Sequence, residues 1–143
     1  MTALTIGDLR PDETEAAVAL WEACGLTRPW NDARADIAMA LEKPASTVLA
    51  GRIDGRLVAT AMVGHDGHRG WLYYLAVAPD CRGHGHGQAM VRAGEAWTAR
   101  TGIPKLCLMV RSDNAGVVAF YKAIGYETGD VVCLSRWVDG RQG

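Results

Sequence analysis

No apolar run in this sequence comes near the roughly 20 residues that a helix needs to cross a bilayer. The longest, residues 59–64 and 72–78, are far shorter, so no membrane span is expected. The first residues, Met1-Thr2-Ala3-Leu4-Thr5-Ile6, lack a basic stretch followed by a long apolar run and a cleavage site. A cytoplasmic location is the expectation. Charge of one sign is missing too: 15 basic against 16 acidic side chains leave a net charge of -1. No global field draws in nucleic acid or an anionic membrane, and neither is expected as a partner. The four cysteines, Cys24, Cys81, Cys107 and Cys133, form no C-x-x-C pair. A zinc knuckle and a redox motif are thereby excluded, and the cysteines read as mostly buried small apolar residues. His65, His68, His84 and His86 are close in sequence, but the last two sit among glycines without a carboxylate or thiolate nearby, so no metal is expected. Repeats, low-complexity segments and linkers are absent as well. With 49% hydrophobic and 22% charged residues, the chain reads as a single packed domain over residues 1–143.

What is present is a regular succession of short elements punctuated by Gly, Pro and Asp-Gly. Residues 5–9 alternate like a strand, and Asp12 with Glu15 resembles a capping box opening a helix that stops at Gly25. Asn31 or Asp32 can cap a second helix, whose Ile37, Ala40 and Leu41 share a face before Pro44. Residues 47–53 and 56–63 read as strands joined by a tight Asp54-Gly55 turn. A polar turn over residues 65–70 leads to an apolar, aromatic strand over 71–77. Helical spacing returns over 88–100, with Ala89, Ala93, Ala96 and Trp97 on one face. A strand over 105–110, a helix over 115–123 with Val117, Phe120, Tyr121 and Ile124 on one face, and a last strand over 131–138 complete an α/β chain.

The chemistry gathers where the aromatic strand meets the long helix. Val77-Ala78-Pro79-Asp80-Cys81-Arg82-Gly83-His84-Gly85-His86-Gly87-Gln88 carries three glycines that let backbone N–H groups turn inward as an anion nest. The following helix adds the partial positive charge of its N-terminus, so a pyrophosphate can be held with little help from side chains. A glycine-rich turn without ligand is the alternative that the glycines alone leave open. Two familiar phosphate loops do not fit: G-x-G-x-x-G needs glycine where Gln88 stands, and Gly-Lys-Ser/Thr is absent.

The pattern Arg-x-x-Gly-x-Gly, carried by Arg82, Gly85 and Gly87 and preceded by Val77 and Pro79, resembles the GNAT acetyltransferases. Asn114 shortly after a strand, followed by Phe120-Tyr121 and Gly125-Tyr126, is similar to the second half of the same family. The likeness runs from about residue 6 to 137. More narrowly, residues 26–32, 66–70 and Tyr73-Tyr74 resemble its bacterial YpeA-like branch. The resemblance implies the GNAT fold: a mixed, mostly antiparallel central sheet with a splayed pair of parallel strands at the acetyl-CoA site and about four flanking helices. It implies acetyl-CoA as acetyl donor, without metal. The donor would be held by Leu75, Ala76, Val77, Arg82, Gly83, His84, Gly85, His86, Gly87, Gln88, Asn114, Phe120 and Tyr121. His86 departs from the usual aliphatic residue, which bears on the packing of the loop.

The activity so implied is acetyl transfer to a primary amine of a small molecule or protein by direct attack. Tyr121 is the candidate general acid for the departing thiolate, with core packing as its alternative, and Asn114 is either a site residue or a helix cap. Arg28, Trp30, Asn31 and Asp32 between the first two helices, with Tyr73 and Tyr74, are the candidate acceptor-binding residues; capping and an aromatic staple explain the first four equally well. Many relatives place a carboxylate where Tyr73 stands, so the general base is left unassigned, with a water relay at Tyr73, Tyr74 or Asp66 as one route. A catalytically weak CoA-binding sensor is the alternative function, a nucleotide-binding regulatory module the third, and a homodimer is allowed for.

Overall fold

The computed structural model describes residues 3–42 and 44–141, and two compact units divide after Met109. In the first, five strands, β1 (Thr5–Asp8), β2 (Ser46–Ile53), β3 (Arg56–His65), β4 (Gly70–Val77) and β5 (Leu106–Leu108), lie in the order β1-β2-β3-β4-β5. Neighbours are antiparallel except β4 and β5, which are parallel. Helices α1 (Thr14–Ala23), α2 (Ala33–Glu42) and α3 (His86–Arg100) belong to the same unit. The expected α/β class with a mixed, mostly antiparallel sheet is what the chain adopts.

Side-chain alternation along β3 sorts its residues between two layers. Thr60 meets Trp21 of α1 through a 2.8 Å hydrogen bond, whereas Val63 faces α3 at Gly94. Both faces are covered, which is why residues 58–61 are buried without interruption. The contact line of α3 overlaps the expected one, since Ala93 and Trp97 pack against the core. Met90, Val91, Gly94 and Thr98 are buried, while Ala96 is exposed. Gly94 lies on this line, where a Cβ would stand 3.1 Å from Leu72 and from Val63, so a larger residue would have to push those side chains aside.

Several local expectations give way to tertiary contacts. The Asp12–Glu15 capping box does not form. A 3-10 turn over Pro11–Glu13 precedes α1, Glu13 turns inward to Arg52, and Glu15 pairs with Arg34. Asp32 caps α2, accepting from the amide of Ala35 at 3.1 Å. Helix α3 opens at His86, two residues before the expected Gln88, and β5 covers only three residues.

The second unit contains α4 (Ala115–Ala123). Its buried residue is Tyr121, with Phe120 and Ile124 half-buried, but Val117 is exposed. Residues 131–138 form no strand, and Val131, Val132, Leu134 and Val138 lie exposed. Apolar and β-branched composition alone does not make a strand; the backbone must also join a ladder. The cysteines also depart from expectation, since three are half-buried and Cys133 is exposed.

Candidate acetyl-CoA site

Strand β4 is irregular in its second half. The β3–β4 register passes from Met62↔Tyr73 to Thr60↔Ala76, so Ala61 faces both Tyr74 and Leu75, which is a β-bulge. Tyr74 carries it with φ of 52°, a left-handed conformation costly for a residue with a Cβ. On its other side β4 pairs with β5 only from Gly70 to Leu72. Residues 73–77 therefore lie beyond the parallel ladder, the splay anticipated for this pair.

The loop after β4 begins with a 3-10 turn over Pro79–Cys81, tied to β3 by a two-pronged Arg56–Asp80 pair at 3.0 and 3.1 Å. Gly83 and Gly85 have φ of 84° and 79°, and nothing lies within 4 Å of where their Cβ atoms would be. Their positive φ turns the chain into α3 and leaves open space over the backbone, a cradle that a side chain would fill. The first amide bonded within the helix is that of Ala89, which donates to Gly85 O. The amides of His86, Gly87 and Gln88 are the ones a helix start leaves for a ligand. Arg82 is placed differently: Nε donates to Val77 O at 3.2 Å and Nη2 to Cys24 Sγ at 3.4 Å. It ties the loop to the end of β4, and the Val77 carbonyl is thereby occupied. The exposed His84 and half-buried His86 stand with ring centroids 5.9 Å apart.

Within the second unit, Asn114 caps α4, its side chain accepting from the amide of Val117 at 3.2 Å. Tyr121 packs edge-on against Phe120 and Tyr126, and burial pushes its phenol up to about 12.

The residues read as acceptor-side disperse. Arg28 spends its guanidinium on the carbonyls of Gly25 and Thr27, Asn31 and Trp30 are exposed, and Asp32 is the cap. Tyr73 is exposed. Tyr74 turns inward, its ring stacked on Trp21 with centroids 3.7 Å apart and planes 3° from parallel. Its hydroxyl donates to Asp36 Oδ2 at 3.0 Å. Burial, with the bond to Asp36, pushes this phenol up to about 12, so it stays a protonated donor and is no base. Asp66 is engaged by the amides of His68 and Arg69 in its own turn, which hold its carboxyl below the usual range.

The model of the acetyltransferase (GNAT) family matches residues 8–126. The chain belongs to the GNAT family. It is 42% identical over 127 residues to an acetyltransferase of Pectobacterium atrosepticum, covering 89% of this chain and 90% of that protein. It is 42% identical over 125 residues to a Yersinia pestis acetyltransferase, covering 87% and 89%. Among solved structures, the fold is similar to an aminoglycoside N-acetyltransferase AAC(6')-Iy in complex with CoA, with a TM-score of 0.82 at 17% identity over 96% of this chain and 97% of that one. It is also similar to a ribosomal-protein-alanine N-acetyltransferase from Brucella melitensis, with a TM-score of 0.74 at 22% identity over 94% and 99%. As a GNAT protein the chain is an N-acetyltransferase.

For this GNAT chain, sequence reading reached the loop and the splayed strand but missed Trp21, Asp36 and Thr60. Trp21 and Thr60 carry no motif, being a tryptophan on a helix and a threonine in a strand. Asp36 is an acidic residue in a first helical turn, a common placement that carries no functional signal.

Proposed function

We propose that this chain transfers an acetyl group from acetyl-CoA to a primary amine by direct attack, as one catalytic domain of the YpeA-like branch. The observation that carries the reading is the open backbone cradle at Gly83 and Gly85, set at the start of α3 and directly after a strand that has left its parallel partner. Bound acetyl-CoA supplies an activated thioester carbonyl. The amides of His86, Gly87 and Gln88, with the left-handed turns at Gly83 and Gly85, hold its pyrophosphate. His84 flanks this loop, while Arg82 shapes it from beneath. Leu75, Ala76 and Val77 offer backbone groups to the pantetheine arm, and an amide there steadies the oxyanion without reorganising.

The amine nitrogen forms the new C–N bond as the C–S bond breaks, and the proton lost by nitrogen balances the one the thiolate takes up. Tyr121 is the donor we assign, with Phe120 and Asn114 shaping its surroundings. A phenol at about 12 is weaker than a thiol of about 8.5, so its part is a hydrogen bond to the departing sulfur more than complete transfer. With Tyr74 and Asp66 committed elsewhere, water beside Tyr73 takes the proton of the incoming ammonium. Arg28, Trp30, Asn31 and Asp32 border the acceptor, whether a small molecule or a protein amine.

Differential scanning fluorimetry with acetyl-CoA tests the site. At a hundred times Kd the stabilisation is about 2.7 kcal/mol, a rise in Tm of roughly 5–10 °C for a chain of this size. Gly85→Val should remove that rise, because its side chain fills the cradle. A variant that keeps the full shift puts the pyrophosphate elsewhere, and equal shifts with ATP or NAD favour a nucleotide module. Release of free CoA with polyamines, aminoglycosides, amino acids and N-terminal peptides identifies the acceptor. Tight binding without release from any of them favours the sensor.

A further inference from the structure

Tyr74 holds a backbone conformation that a tyrosine avoids, in the middle of a central strand. Three contacts hold it there. Thr60 Oγ1 donates to its carbonyl at 2.9 Å and receives the Trp21 indole N–H at 2.8 Å. The Trp21 ring lies flat against the Tyr74 ring. Asp36 Oδ2 takes the hydroxyl hydrogen bond at 3.0 Å. Helices α1 and α2 and strand β3 thus close on one residue.

Strand side chains alternate, so losing the extra residue of a bulge moves everything beyond it to the opposite face. The residues immediately beyond Tyr74 are Leu75, Ala76 and Val77. Their orientation depends on the bulge staying where it is, and the bulge depends on its strained residue being held. Trp21 and Thr60 act from the buried core, while Asp36 grips the far tip of the ring. Asp36 forms no ion pair among the described residues. Arg34 and Arg28 are engaged elsewhere, Arg34 with Glu15 and Arg28 with backbone carbonyls.

We infer that Asp36 is a positioning residue: by accepting the Tyr74 hydroxyl it locks the β4 bulge and so aims Leu75, Ala76 and Val77 at the pantetheine arm. This rests on the acetyl-CoA reading above. The function required of Asp36 is acceptance of a hydrogen bond, not negative charge. Asparagine can therefore replace it and leucine cannot.

Calorimetric titration with two probes tests this: acetyl-CoA, and 3'-phospho-ADP, which is the head of CoA without the arm. Asp36→Leu and Tyr74→Phe should each weaken acetyl-CoA roughly three- to tenfold, the range set by one hydrogen bond, and leave 3'-phospho-ADP unchanged. Asp36→Asn should bind both as the wild type does. Equal weakening of both probes, no weakening of either, or an Asp36→Asn as defective as Asp36→Leu overturns the inference. Tyr74→Phe keeps the ring stack and serves where Asp36→Leu folds poorly. A wild-type protein that binds 3'-phospho-ADP but gains nothing from the arm refutes strand docking itself, and the inference falls with it. One that binds neither probe refutes the acetyl-CoA reading.

Discussion

Replacing Glu13 by glutamine should destabilise the protein at neutral pH and barely at all near pH 2. Glu13 and Arg52 have side chains only 9% and 15% exposed. Arg52 Nε donates to Glu13 Oε2 at 2.9 Å, the same guanidinium reaches Oε1, and the Arg10 amide adds a third bond at 2.9 Å. Arg52 Nη2 also donates to Asp8 O at 2.9 Å, so one guanidinium joins β1, β2 and the entry to α1. The Arg52 hydrogen bond, outweighing burial and helped by the Arg10 amide, holds the Glu13 carboxyl at about 2 against an ordinary 4.5. A folded value below the unfolded one means stability that is fully present above pH 4.5 and is lost as pH falls towards 2. At about 1.36 kcal/mol per pKa unit the difference comes to about 3 kcal/mol. The loss of a partner from a nearly buried pair is of the same size, about 3–5 kcal/mol. Urea denaturation of wild type and Glu13→Gln from pH 7 to pH 2.5 reads this as a difference. It should stand near 3 kcal/mol down to about pH 5 and then shrink steadily. A difference below 1 kcal/mol at pH 7, or one that stays constant to pH 3, would refute the reasoning.

Thr60→Val keeps shape but leaves the Trp21 N–H and the Tyr74 carbonyl unpaired in a site where Thr60 is 0% exposed. A loss of roughly 2–5 kcal/mol in urea denaturation is expected, and less than 1 kcal/mol would show that water or other groups replace the hydroxyl. Tyr121→Phe should leave Tm within a degree or two while lowering the single-turnover rate about 10- to 100-fold. Because the phenol at about 12 stays protonated from pH 6 to 9, the defect should not follow its titration; an unchanged rate across that range leaves Tyr121 a packing residue.

Composition, element order and the loop were legible in the sequence because each rests on local chemistry. Glycine at 83 and 85 is read directly as positive φ, and a strand running into a helix is read from the change of hydrophobic period. The splay of β4 from β5 came from family resemblance, and the three-residue ladder bears it out. Asp12 and Glu15 fitted a capping box on paper, yet Arg52, 39 residues from Glu13, drew the neighbouring carboxylate inward instead. Residues 131–138 are rich in β-branched and apolar side chains, but a strand depends on pairing with another segment, and no strand is formed there. Ala89, Ala93, Ala96 and Trp97 satisfied helical spacing, and Ala93 and Trp97 do pack against the core, but the fully buried line runs through Met90, Val91, Gly94 and Thr98 and leaves Ala96 exposed. Tyr74 shows the division most sharply. The chain supplies a tyrosine in a strand, for which extended backbone is the ordinary state; only Trp21, Thr60 and Asp36, brought from three other elements, hold it left-handed. Local sequence determined most of the helices and strands and the glycine-rich turn into α3, since those preferences span a few residues. Where the strand bends and which groups face the site were decided by contacts across the fold, whose energies exist only once distant residues meet.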